Sequence, residues 1–192
     1  MSVIAPNDRQ SAVLWSRTLV TATETIFLDT ETTGLGPAAE IVDIAVVTAT
    51  GEVLLDVLVR PSRPIPADAT RIHGITNHDV ARAPEWCDVI EILMPILRER
   101  QIVVYNALFD QTMVRQCCDR IGAPFPLASW LCAMKAYAAF YGGSGGGRNR
   151  WHSLPKAAAA FGLQPGGHRA LADAEVCRRV VLAMSETEPD VF

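Results

Sequence analysis

A mixed β-sheet with helices packed on its faces is the architecture this sequence predicts, and three observations carry it. Branched, apolar runs concentrate early in the chain, at 25–29, 41–49 and 53–60. In the middle, a short apolar run at 102–105 leads directly into an amphipathic stretch at 109–121, which reads as a strand-to-helix crossover. Helical patterning then dominates to the end. Strands early, helices late and a crossover between them describe a mixed sheet that needs helices to cover its apolar faces.

The elements follow in order. Ala12, Trp15 and Leu19, with Val13, Leu14 and Val20 beside them, have the spacing of an amphipathic helix over 8–20, with Asn7 as its cap and Gln10 three residues on. This helix is expected to lie on the core. The strands at 41–49 and 53–60 are joined by a short turn at Thr50-Gly51. The stretch RPSRPIPADATRIHGIT, rich in proline, reads as a connector, followed by a helix over about 85–100 that Pro95 kinks or shortens. Gly122 closes the helix at 109–121, and further helices are expected at 133–141, 153–161 and 170–186. GGSGGGRNR, residues 142–150, breaks all periodicity and reads as a flexible loop; the acidic tail SETEPDVF reads as frayed.

At 192 residues the chain suits a single domain, 1–192, with residues 1–24 as an N-terminal helical extension. Nearly half the residues are apolar, the net charge is −4, and no run approaches the ~20 apolar residues of a membrane span. No membrane partner is expected. The first twenty residues carry no secretory pattern, and five cysteines without a CxxC pair read as reduced thiols, so a cytoplasmic location is expected. The weak acidity does not advertise a nucleic-acid binder, although Arg outnumbers Lys fifteen to two.

Against that background, FLDTETTGL at 27–35 is conspicuous. Asp29 and Glu31 are two apart, so on a strand they point the same way and repel. Either both acids lie in water at a strand end or a divalent cation sits between them. YNALFD, 105–110, places Asp110 in the first turn of a helix, where the dipole alone could explain it. HRALADAE, 168–175, holds His168 and Asp173; on one regular helix these would lie about 140° apart, but Gly166 and Gly167 put His168 in a loop free to swing toward Asp173.

Together the three stretches resemble the exonuclease motifs of the DEDDh group of 3'-to-5' exonucleases, the DnaQ-like family, over about residues 26–182. EIVDIAVV, with Glu40, resembles the family's second strand, and RIHGIT its turn after the third. The resemblance implies a ribonuclease-H-like α/β fold with a mixed five-stranded sheet flanked by helices. It also implies that Asp29, Glu31 and Asp173 ligate one metal ion, that Asp29 bridges to a second supported by Asp110, and that His168 is the general base. Thr32, Leu35, Asn106 and Phe109 would meet the terminal nucleotide, ordinary packing being the competing account of Leu35 and Phe109. Tyr105 departs from the histidine of many relatives, and the segment near Cys132 lacks their acid.

The chemistry is consistent with that set. Hydrolysing a phosphodiester requires charge stabilisation at both the attacking and the leaving oxygen, which two cations about 4 Å apart supply. Oxygen-only ligands favour Mg²⁺ or Mn²⁺ over Zn²⁺. A histidine titrates near neutrality and can take a proton from water; His73 reads as a turn residue, and His78 and His152 have no acid constellation beside them. The expected activity is therefore metal-dependent 3'-to-5' exonuclease action on single-stranded ends, DNA favoured, releasing nucleoside 5'-monophosphates in proofreading or repair, with a DNA polymerase as a possible partner. The alternatives are an exoribonuclease trimming RNA ends and a non-catalytic nucleic-acid-binding or polymerase-docking module. The glycine loop is no P-loop; it is either a linker or, with Arg148, Arg150 and Trp151, a clasp for a single strand.

Overall fold

The computed structural model describes residues 5–142 and 151–188. The chain runs α1 (Arg9–Thr21), β1 (Thr25–Thr32), β2 (Ile41–Thr48), β3 (Val53–Leu58), α2 (Ala67–His73), α3 (Trp86–Leu97), β4 (Gln101–Val104), α4 (Ala107–Ile121), β5 (Ser129–Cys132), α5 (Ala133–Gly142), α6 (Leu154–Ala160) and α7 (Ala170–Glu186). The sheet has five strands in the order β3-β2-β1-β4-β5. β1, β2 and β3 form an antiparallel meander, while β4 and β5 run parallel to β1.

Alternation along the strands divides the core between the two faces. On one face, Phe27, Val47 and Val103 pack beneath α1, α5 and α7, with Tyr137 almost fully enclosed among them. On the other, Ile26, Leu28, Ile44 and Ile102 pack against α3 and α4. A smaller apolar group, Val42, Ile65, Ala69, Ile75 and Val80, seats α2.

The expected sheet with covered faces is observed, with local corrections. The cap of α1 is Asp8 rather than Asn7: its carboxylate accepts the Ser11 N–H at 2.8 Å, and the Ser11 hydroxyl accepts the Asp8 N–H at 3.3 Å. β1 continues past Asp29 to Thr32 because β2 pairs with it along this length, overriding the polar composition. The proline-rich connector contains α2, whose single apolar seat is too short to show a helical period. α3 ends at Leu97, two residues beyond Pro95, as the expected shortening requires. β5 is a four-residue edge strand, too short to show an alternating period and followed at once by the alanines of α5, so the sequence pattern does not predict it. The start of the acidic tail is ordered rather than frayed: Arg17 donates to the carbonyls of Ser185 at 2.9 Å and Thr187 at 3.1 Å, tying α1 to the end of α7. Nearly all of the glycine-rich stretch, 143–150, and residues 189–192 lie outside the described residues.

Phe27 is fully buried in the apolar cluster that β1 shares with α7. Phe27→Ala is expected to lower the free energy of unfolding by about 3–5 kcal/mol. Urea denaturation should show the loss as a lower midpoint at unchanged slope.

Candidate active site

The site forms where β1 outruns its parallel neighbour. β1 and β4 pair only from Thr25–Phe27 against Gln101–Val103, so beyond this point the carboxyl end of β1 is open on that side. Crevices at the carboxyl ends of parallel strands are the customary ligand sites of α/β sheets. Asp29 and Glu31 share the parity of Phe27, whose face is covered by α1, α5 and α7. Thr30, of opposite parity, lies on the α4 side, where its hydroxyl donates to Asp110 Oδ1 at 2.7 Å. Asp110, 3% exposed in the first turn of α4, is thereby aimed at the strand end.

Asp173 arrives from the other face, in the first turn of α7. Its Oδ2 lies 4.0 Å from His168 Nδ1. His168 adopts φ +58°, a left-handed conformation unusual for a residue with a side chain and found preferentially at functional sites. The loop therefore departs from helical geometry before α7, and the 140° separation of a regular helix does not arise. Gly166 makes this approach possible: a Cβ there would overlap Asp173 Oδ1 and lie 2.7 Å from the Ala172 carbonyl carbon and the Asp173 nitrogen. Glu31, His168 and Asp173 each offer a ligand atom within 4.8 Å of the others.

Electrostatics ties Asp29 and Asp110 to that group. Burial holds the Asp29 carboxyl well above the usual range, with Asp110, Asp173, Glu31 and Asp43 adding repulsion. Glu31 is pushed up to about 8 by burial and by Asp173, Asp43 and Asp110, with Arg169 opposing. Burial also raises Asp110 against its hydrogen bonds with Thr30, and raises Asp173 against the His168 charge and the backbone N–H groups of His168 and Gly166. Four carboxyls so placed cannot all ionise near neutrality without a counter-charge. A set of carboxylate oxygens, one imidazole and no thiolate fits a hard divalent cation.

The remaining expected contacts differ in character. Thr32 is buried, and its hydroxyl donates to the Gly34 carbonyl at 2.7 Å, which shapes the turn after β1. Leu35 on that turn is 84% exposed, so core packing does not account for it. Asn106 is the exposed N-cap residue of α4, and Phe109 is half-buried against the α3–α4 core. Tyr105 is buried, its hydroxyl donating to the His152 carbonyl at 2.8 Å. His73 closes α2 as a buried residue whose Nδ1 accepts the Ile75 N–H at 3.0 Å, a turn role. Sequence reasoning missed Thr30, Asp43 and Arg169. The threonine between two acids was a legible signal, since strand alternation sends it to the opposite face; the Asp43–Arg169 pair, 126 residues apart, had none.

Comparison with known proteins adds an independent line. The model of the RNase_T family, described as exonuclease, matches residues 26–181. An uncharacterized exonuclease of Escherichia phage 186 is 39% identical over 170 residues, covering 84% of this chain and 88% of that protein. The DNA polymerase III epsilon subunit of Treponema pallidum is 30% identical over 165 residues, covering 81% and 74%. Of longer relatives the chain spans as little as 12%. Among solved structures, the nuclease domain of 3'hExo, a DEDDh family member bound to rAMP, superposes with a TM-score of 0.72 at 18% identity, covering 88% of this chain and 94% of that one.

Two expectations follow from the geometry. Burial and the neighbouring carboxylates push Glu31 up to about 8 from its ordinary value of 4.5, so across that window the folded state holds the extra proton and stability is expected to fall as pH rises. In EDTA the melting temperature should drop by on the order of 5 °C between pH 5 and 8, and Mg²⁺ or Mn²⁺ should restore it at pH 8. Gly166→Ala should displace Asp173 and abolish metal-dependent stabilisation. Gly167→Ala, with no atom in its way but a φ of +78°, should cost only about 1 kcal/mol of backbone strain in the same melts.

Proposed function

Because the chain belongs to the RNase_T exonuclease family, as a DEDDh-type, DnaQ-like 3'-to-5' exonuclease of ribonuclease-H-like fold, we propose that it degrades single-stranded DNA from the 3' end to nucleoside 5'-monophosphates. The observation that carries this reading is the convergence of Glu31, Asp173 and His168 within 4.8 Å at the open end of β1, with Asp29 and Asp110 electrostatically joined to them.

In this reading Asp29, Glu31 and Asp173 would hold one divalent ion, Mg²⁺ or Mn²⁺, and Asp29 with Asp110 would hold a second. Such ions supply charge stabilisation at the attacking and leaving oxygens when bound. Thr30 orients Asp110 through the 2.7 Å hydrogen bond. His168 faces Asp173 with Nδ1, which leaves Nε2 to take the proton of the attacking water. The water oxygen bonds to phosphorus as the bond to the 3' oxygen breaks; that oxygen gains a proton, leaving a shortened strand and a 5'-monophosphate. Thr32, Leu35, Asn106 and Phe109 seat the terminal nucleotide, with Leu35 offering an exposed apolar surface to a base.

Similarity to a DNA polymerase III epsilon subunit supports DNA as substrate and a polymerase as partner. An RNA-trimming role draws on solved structures such as 3'hExo bound to rAMP and a 3'-exonuclease recognising a histone mRNA stem-loop, whose 18% and 19% identities speak to fold. A non-catalytic docking module has no use for buried, mutually repelling carboxylates. Four buried free thiols support the reducing cytoplasm as the compartment, and no helix among the described residues is long and apolar enough to cross a membrane.

The test is digestion of a 5'-labelled single strand. With Mg²⁺ a one-nucleotide ladder is expected, absent with EDTA and with Asp173→Asn. His168→Ala should lower turnover by about 10²- to 10⁴-fold while metal still raises the melting temperature; undiminished turnover removes the general base. The deoxy oligomer should be cut faster than its ribo counterpart, and the reverse order would assign the enzyme to RNA.

A further inference from the structure

Asp43 is a fifth carboxylate at this site, and the hydrolytic scheme leaves it without a role. It lies on β2 opposite Glu31 in the antiparallel register and is 1% exposed. Its charge adds to the repulsion felt by Asp29 and Glu31. A carboxylate at that depth is tolerated only when charged and hydrogen-bonding partners reach it.

Both kinds of partner come from the start of α7. Arg169 Nε donates to Asp43 Oδ2 at 2.9 Å, and the Ala170 backbone N–H donates to the same oxygen at 3.3 Å. Ala170 is the first residue of α7, and the N-cap residue Arg169 makes no side-chain cap of its own. Asp43 thus supplies the anion and acceptor that a helix N-terminus requires, but from a neighbouring strand. The two residues it grips sit between His168, held at φ +58°, and Asp173, four residues beyond Arg169, whose N–H bonds the Arg169 carbonyl at 2.9 Å.

We infer that Asp43 is a positioning residue: with Arg169 it clamps the 166–169 loop and the start of α7 to the acidic end of the sheet, holding His168 and Asp173 beside Glu31. Arg169 also places a positive charge next to Glu31, offsetting the repulsion that the clamp introduces. Asp43 itself is buried and cannot touch a nucleic acid, so its influence on the reaction passes through α7. The kinetic consequence rests on the nuclease reading; the clamp does not.

Two measurements on the full chain test it. Asp43→Asn keeps the shape and an oxygen for Ala170 N–H but removes the charge from Arg169; Arg169→Ala, at a half-exposed side chain, breaks the clamp with little risk to folding. Hydrogen exchange in a peptide covering 166–174 should accelerate by about tenfold or more in either variant, with the rest of the chain unchanged. On a single-stranded oligonucleotide at saturating Mn²⁺, kcat should fall by about 10- to 100-fold with KM nearly constant, and Arg169→Lys should recover part of it. Unchanged exchange in Arg169→Ala overturns the clamp. So does a raised KM at constant kcat, which would make Arg169 a substrate contact. An inactive wild type would remove the nuclease reading while the exchange data still decide the clamp, and if Asp43→Asn does not fold, the two Arg169 variants decide it.

Discussion

Repulsion among carboxylates gathered at the end of β1 is the constraint that organises this molecule. Asp29, Glu31, Asp110 and Asp173 are each pushed toward the protonated form, chiefly by burial. Such crowding raises the energy of the folded state at neutral pH and would favour dispersal of the acids into water. The fold holds them together nonetheless, and the same crowding makes the site a strong receptor for multivalent positive charge.

Three elements approaching from different directions achieve this. β1 supplies Asp29 and Glu31 on the face covered by α7; α4, on the opposite face, reaches the strand end with Asp110, steered by Thr30; α7 brings Asp173. Each element is anchored by apolar packing well away from the charges. Phe27 and Val103 hold β1 and β4 under α7, and Arg17 ties α1 to the far end of α7. The hydrophobic core on each side of the sheet thus opposes the electrostatic cost at its rim. Because β4 pairs with β1 over only three residues, the rim stays open.

The site also combines rigid and adjustable parts. The strand acids are fixed by sheet register, with Glu31 opposite Asp43. His168 instead sits in a loop entering α7, 57% exposed at its side chain. In the proposed reaction a proton acceptor there would follow a substrate whose phosphate must fit between fixed charges, and the proposed clamp of Asp43 on Arg169 would limit how far the loop strays.

Much of this was legible in the chain itself. Alternation along FLDTETTGL placed two acids on one face, the apolar runs foretold a sheet with covered faces, and Gly122 marked the end of α4, because these depend on local geometry that residues within a few positions of each other decide. Tertiary structure decided the rest. β1 extends through its polar end because β2 pairs with it, α2 forms inside a proline-rich connector because a small apolar seat receives it, and Asp43 meets Arg169 across 126 residues of chain. Local patterns record which way a side chain points; which distant charge it meets is set by how the sheet and α7 pack, and no short stretch of sequence encodes that.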